Sequence, residues 1–124
     1  MIFSLFSNLG SREGIIITVV SLLCRIPAVL LALSIHEAAH GLIANKLGDP
    51  TAKNLGRITI NPIKHIDPIG AISMLVFGIG WAKPVPVNSR YFKKPKRDMA
   101  LTAAAGPISN ILIAIVSIVL FFLF

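Results

Sequence analysis

Cys24 is the only cysteine in the 124-residue chain, and it lies inside an apolar run. An intramolecular disulfide is therefore excluded, a thiolate metal site is not expected, and Cys24 is read as packing. Charge is scarce as well: 14% of residues are charged against 55% hydrophobic, and the mean hydropathy is +0.81. That balance is too apolar for an ordinary soluble domain of this length and points to a lipid bilayer. The N-terminus has neither a basic leader nor a small-residue cleavage site, so an uncleaved anchor is expected rather than a signal peptide. Internal repeats and low-complexity tails are also missing.

Three stretches are nearly or wholly uncharged. The first runs from Gly14 to Ile35 with Arg25 as its only charge and continues to about Leu47, and the second runs from Leu101 to Phe124. Each is long enough for a transmembrane helix, which needs about 20 apolar residues. The third, Ile69 to Ala82, would rise only about 21 Å as a helix, short of a hydrocarbon core of about 30 Å. It is read as a re-entrant or partly inserted segment. Pro27 removes a backbone hydrogen bond, so the first run is expected to kink or divide near Arg25. Arg25 is expected either to pair with a carboxylate or to snorkel.

A net charge of +7 raises nucleic acid as a partner, but the positions of the charges argue against it. Lys46, Lys53, Arg57 and Lys64 precede the short run, while Lys83, Arg90, Lys93, Lys94, Lys96 and Arg97 follow it. Cytoplasmic loops collect Lys and Arg. Both loops are therefore expected on the cytoplasmic side, with the short segment returning to the side it entered.

Local signals complete the outline. The motif-bearing helix is predicted to end at Leu47-Gly48-Asp49-Pro50, where glycine can take a left-handed cap and proline stops resumption. Residues 56 to 61 alternate polar and apolar side chains, and Val85 and Val87 alternate with Pro84 and Pro86, giving two short extended stretches. Asp98 is the expected N-cap of the last helix, and Ala103, Ala104, Ala105 and Gly106 would allow close helix packing. Phe3, Leu5, Phe6 and Leu9 suggest an interfacial segment at residues 1 to 13. The fold class that follows is an all-α membrane protein: transmembrane helices, a re-entrant segment, and a small β-hairpin or sheet at the membrane interface.

The chemistry is concentrated in His36-Glu37-Ala38-Ala39-His40. Four residues on a helix turn through about 400°, so the two imidazoles project from one face and can grip one ion. Zinc accepts neutral imidazole, and a catalytic site keeps an open position for water. Glu37, beside the first ligand, can reach such a water as general base. The bland alternative is a polar helix end solvated at the membrane surface, which has no need of this spacing. Asn110, polar within an apolar helix, could contact substrate, brace the histidine helix, or join helices. Trp81 beside Lys83 is read as an interface marker.

These residues sit within a longer set of motifs. Ser34-Ile35-His36-Glu37-Ala38-Ala39-His40-Gly41, Lys46-Leu47-Gly48-Asp49-Pro50-Thr51-Ala52 and Gly56-Arg57-Ile58-Thr59-Ile60-Asn61-Pro62 are followed by His65-Ile66-Asp67-Pro68-Ile69-Gly70. Gly80-Trp81-Ala82-Lys83-Pro84-Val85-Pro86-Val87-Asn88 and Ala105-Gly106-Pro107-Ile108-Ser109-Asn110 come after. In this order and over nearly the whole chain, the set resembles the site-2 protease family of intramembrane zinc metalloproteases, in its compact bacterial and archaeal branch. The resemblance implies that His36 and His40 are ligands of Zn2+ and that Glu37 is the catalytic base. It further implies transmembrane protein substrates cut in or near the bilayer of a bacterial or archaeal cell, by a multi-pass membrane protein. Residues 56 to 61 and 83 to 88 are candidates for pairing with an extended substrate.

The family pattern supplies a third ligand from an Asp-Gly motif on a later helix, and residues 1 to 124 contain no such motif. Asp49, Asp98, His65 and Asp67 are not expected to replace it. Residues 1 to 124 are thus read as a single membrane-embedded metalloprotease domain lacking its C-terminal part. The alternative function is a catalytically incomplete membrane protein of the same fold, acting as a binding or scaffold subunit. A metal-transport segment would call for further intramembrane acidic or histidine residues, which the last run lacks.

Overall fold

A computed structural model of the chain describes Ser7 and residues 10 to 124. The interfacial reading of Phe3, Leu5, Phe6 and Leu9 lies outside the described residues. Helix α1 spans Arg12–Lys46, its start fixed by Ser11, whose hydroxyl accepts the Gly14 N–H at 3.1 Å, and by Glu13 in the first turn. Its 35 residues make it about 52 Å long. Pro27 lies inside it without dividing it, so of the expected kink or division the division does not occur. One missing hydrogen bond costs about 3 kcal/mol, and the ladder on either side holds the helix continuous. Arg25 and Cys24 are exposed; Arg25 makes no ion pair among the described residues, and Cys24 is not the packing residue expected.

The end of α1 follows the sequence signal. Leu47 N–H bonds back to Ile43 and Ala44, and Gly48 takes φ +110°, where a side chain would be strained. Helical structure then resumes for one turn, α2 at Thr51–Asn54, with Pro50 as its N-cap. Short 3-10 turns follow at Pro62–Lys64 and Ser89–Tyr91. Helix α3 spans Pro68–Phe77, opened by Asp67 accepting the Gly70 N–H at 2.9 Å and closed by Gly78 at φ +77°. Residues 79 to 82 then run back along α3, so close that a Cβ on Gly70 would strike the Trp81 carbonyl and one on Gly80 would strike that of Gly70. The excursion ends where it began, with Ile66 opposite Ala82 in one isolated antiparallel bridge.

The expected β-hairpin is absent: no strand occurs among the described residues. Pro84 and Pro86 have no N–H to extend a ladder. The neighbouring donors are used elsewhere, Val85 N–H on Glu37 at 3.1 Å and Asn88 N–H on Asp49 at 2.7 Å. A side chain does part of a strand's work, since Arg57 Nη2 donates to the carbonyls of Lys83 at 2.8 Å and Pro84 at 3.4 Å.

Helix α4 spans Pro95–Leu123, with Lys94 as N-cap. Asp98 is not the expected cap. It lies in the first turn, buried, and reaches back to accept the Lys94 N–H at 3.2 Å while pairing with Arg97. Helices α1 and α4 are each long and apolar enough to cross a membrane, and almost none of either apolar window is buried. Burial falls on small and polar residues: Ser34, Glu37, Gly41 and Ala44 on α1, and Asp98, Thr102 and Gly106 on α4. Of the four small residues expected to pack, Gly106 alone is buried.

Asp49 ties the end of α1 to the segment before α4, accepting from the Thr51 hydroxyl, the Thr51 N–H and the Asn88 N–H. Burial pushes its carboxyl up, but these hydrogen bonds outweigh burial and hold it below the ordinary carboxylate value. A carboxyl whose folded value is lowered contributes stability above its unfolded value of about 4 and loses it as pH falls through the folded value. Asp49→Asn, which puts a donor where an acceptor is needed, should destabilise the chain by roughly 1–3 kcal/mol. Thermal unfolding in detergent should show this near neutral pH, and the gap between parent and variant should narrow on acidification as the Asp49 carboxylate is protonated. Equal melting of variant and parent near neutral pH would rule out the tether.

Candidate metal centre

His36 and His40 lie one turn apart on α1, their rings edge-on with centroids 4.7 Å apart. Ligand atoms of His36, Glu37 and His40 all fall within 4.8 Å of one another, and no other such group occurs among the described residues. Both Nε2 atoms converge on Gly106 of α4: a Cβ built there would stand 2.5 Å from each. The absent side chain therefore lets α4 come into contact with both rings, whose Nε2 atoms turn toward the same point.

The far sides of the rings are also held by α4. His40 Nδ1 lies 2.7 Å from the Thr102 carbonyl, which can only accept, so Nδ1 carries the proton and Nε2 keeps its lone pair. His36 Nδ1 lies 3.1 Å from the Asn110 amide. Thr102, Gly106 and Asn110 are spaced by four and share one face of α4. Pairing His40 with residue 102 and His36 with residue 110 makes the two helices antiparallel. Two convergent imidazoles with polar partners at their other nitrogens, and a carboxylate within 4.8 Å of them, form a donor set that fits a zinc ion.

Glu37, beside the two histidines, also meets the segment before α4. It is only 9% exposed, and its Oε2 accepts the Val85 N–H at 3.1 Å. Gly41, one turn on, allows this approach, since its Cβ would already meet Ala52, Ile58 and Val85 side chains at 3.1–3.4 Å. A cavity of about 390 Å³ opens over His36 and Glu37, bordered by Val29, Leu33, Trp81 and Asn110. Its size suits a ligand or a short stretch of chain.

The other sequence expectations sort clearly. His65 is fully buried with Nε2 on the Thr59 carbonyl at 2.7 Å, and Asp67 caps α3; neither joins the cluster. Asp49 and Asp98 are committed to backbone N–H groups. Asn110 takes the bracing position, and Trp81, read as an interface marker, is 54% exposed and stands in the cavity wall. Val85, Thr102 and the clearance at Gly106 escaped the sequence reading. The four-residue spacing from 102 to 110 was available as a signal; nothing local marks Val85.

Gly106→Ala should abolish stoichiometric zinc binding while leaving α4 intact, because alanine favours a helix over glycine by about 1 kcal/mol. Metal analysis of the purified protein beside its helical circular dichroism tests this, and full zinc retention would contradict the assigned space.

No family model and no solved structure matches the chain. Two curated bacterial proteins do. "Putative zinc metalloprotease YwhC" of Bacillus subtilis is 51% identical over 88 residues, covering 71% of this chain and 40% of that protein. "Putative zinc metalloprotease Rip2" of Mycolicibacterium smegmatis is 28% identical over 94 residues, covering 69% of this chain and 35% of that protein. The chain thus spans well under half the length of either relative. With its histidines converging on one point, the chain is a homologue of bacterial proteins that bear the zinc metalloprotease name, consistent with a member of the site-2 protease family.

Proposed function

We propose that the chain forms the histidine half of an intramembrane zinc endopeptidase that hydrolyses peptide bonds in or near transmembrane segments of membrane proteins. The observation that carries this reading is the convergence of His36 and His40 on Gly106 with Glu37 beside them, on helices whose outward surface is apolar. In water such a surface would drive association, whereas lipid solvates it. The two long helices cross the bilayer, the α3 excursion enters and returns, and the basic loops stay on the cytoplasmic side.

Zinc, when bound, supplies a Lewis acid that polarises a peptide carbonyl and eases deprotonation of water. His36 and His40 would hold it. Glu37 takes the proton of the attacking water and returns it to the departing amine. Val85 N–H holds Oε2 of Glu37, leaving Oε1 to carry that proton. Asn110 borders the bound chain at the cavity wall. The substrate must be extended there, because a helix keeps its carbonyls in hydrogen bonds. Residues 83 to 88 are poor partners for strand addition, since two of them are prolines and the Val85 and Asn88 N–H groups are taken.

Glu37→Gln should abolish processing of a transmembrane substrate in a protease-deficient host while zinc content stays at the parent level. Equal processing would exclude Glu37 as the base and leave the binding or scaffold role. His36→Ala and His40→Ala should each remove the zinc, read as metal stoichiometry of the purified chain; retention by either would remove that histidine from the ligand set.

A further inference from the structure

We infer that Asn110 is a positioning residue for the metal centre: its side-chain oxygen accepts the Nδ1–H of His36 and thereby aims the Nε2 lone pair at the point His40 Nε2 also faces. The inference rests on zinc binding by His36 and His40, and it concerns which end of the Asn110 amide faces the ring.

The orientation follows from donor and acceptor counting. His36 Nε2 lies 2.5 Å from the point a Gly106 Cβ would occupy, as does His40 Nε2, so these two nitrogens turn toward a common point and are the pair that one ion could join. A neutral imidazole that offers Nε2 to a metal carries its proton on Nδ1. His40 meets that requirement with the Thr102 carbonyl, an obligate acceptor, at 2.7 Å. His36 Nδ1 needs an acceptor too, and the Asn110 amide, at 3.1 Å, is the group that faces it. The oxygen and nitrogen of an asparagine amide are nearly isosteric, and the hydrogen-bond network decides between them. With Nδ2 towards His36, two donors would oppose each other while the amide oxygen sits buried without a partner. Turning the amide puts that oxygen against the ring proton. Each metal-facing imidazole then has an acceptor behind it, one turn of α4 on either side of Gly106.

Outer hydrogen bonds of this kind fix the tautomer and orientation of a ligating histidine, and losing one typically weakens metal affinity 10- to 100-fold. Asn110→Leu removes the acceptor at similar volume; Asn110→Asp keeps it and lacks the donor. Zinc affinity of the full chain in detergent, measured by competition with a chromophoric chelator, should fall roughly 10- to 100-fold in Asn110→Leu and stay within a few-fold of the parent in Asn110→Asp. The cobalt-substituted absorption spectrum should change in the leucine variant and not in the aspartate one. Should Asn110→Leu fail to fold, Asn110→Ala carries the same expectation.

Parent-like affinity in the leucine or alanine variant would overturn the assignment. So would equal weakening by aspartate and leucine, the pattern of an amide that donates or only packs, since a buried carboxylate serves neither. A parent chain that binds no zinc would overturn the metal centre as well. Because the readout is zinc affinity, it is separate from whether Glu37 drives peptide hydrolysis.

Discussion

The approach of α4 to α1 at Gly106 is the constraint on which the site depends. Two histidines one turn apart present a pair of nitrogens, but what those nitrogens face is decided by the helix opposite. A glycine there lets the backbone come close enough for the Thr102 carbonyl to reach one ring and the Asn110 side chain the other. The same missing Cβ lets both Nε2 atoms turn toward one point without a clash. Close packing and metal binding therefore rely on one residue, which explains why burial in this fold falls on small and polar side chains while the large apolar ones face outward.

The other flank of α1 is organised by a chain of hydrogen bonds rather than by a sheet. Arg57 grips the carbonyls of Lys83 and Pro84, Asp49 takes the Asn88 N–H, and between them Val85 N–H is delivered to Glu37. Each link pairs a buried polar group, which would otherwise cost roughly 1–3 kcal/mol. Prolines at 84 and 86 hold the segment extended and prevent its donors from being spent on a ladder. The carboxylate proposed as base is thus fixed by backbone of a segment nearly fifty residues further along the chain.

Much of this was legible because it is local. The two long helices follow from uninterrupted apolar runs, the end of α1 from Gly48, and the shared face of His36 and His40 from helical periodicity. Errors arose where a local rule met a non-local competitor. Alternation at 56 to 61 and 83 to 88 resembles paired strands, yet the Gly56 and Arg57 N–H groups bond back to Lys53 and Ala52, and those of Val85 and Asn88 meet carboxylates. Asp98 has the chemistry of an N-cap but lies a turn too late, because Pro95 already starts the helix. Pro27 suggested a kink or a division, and the lost hydrogen bond does not divide the 35-residue helix.

By itself the sequence determined which atoms could bind zinc, and that they sit on a helix apolar enough for a membrane, because both properties depend on spacing and composition within one segment. The tertiary structure alone decided where those atoms point and what holds them. That depends on residues about sixty to seventy-five positions away on α4 and nearly fifty away at Val85, and no pattern within a single segment specifies how two helices and a loop meet.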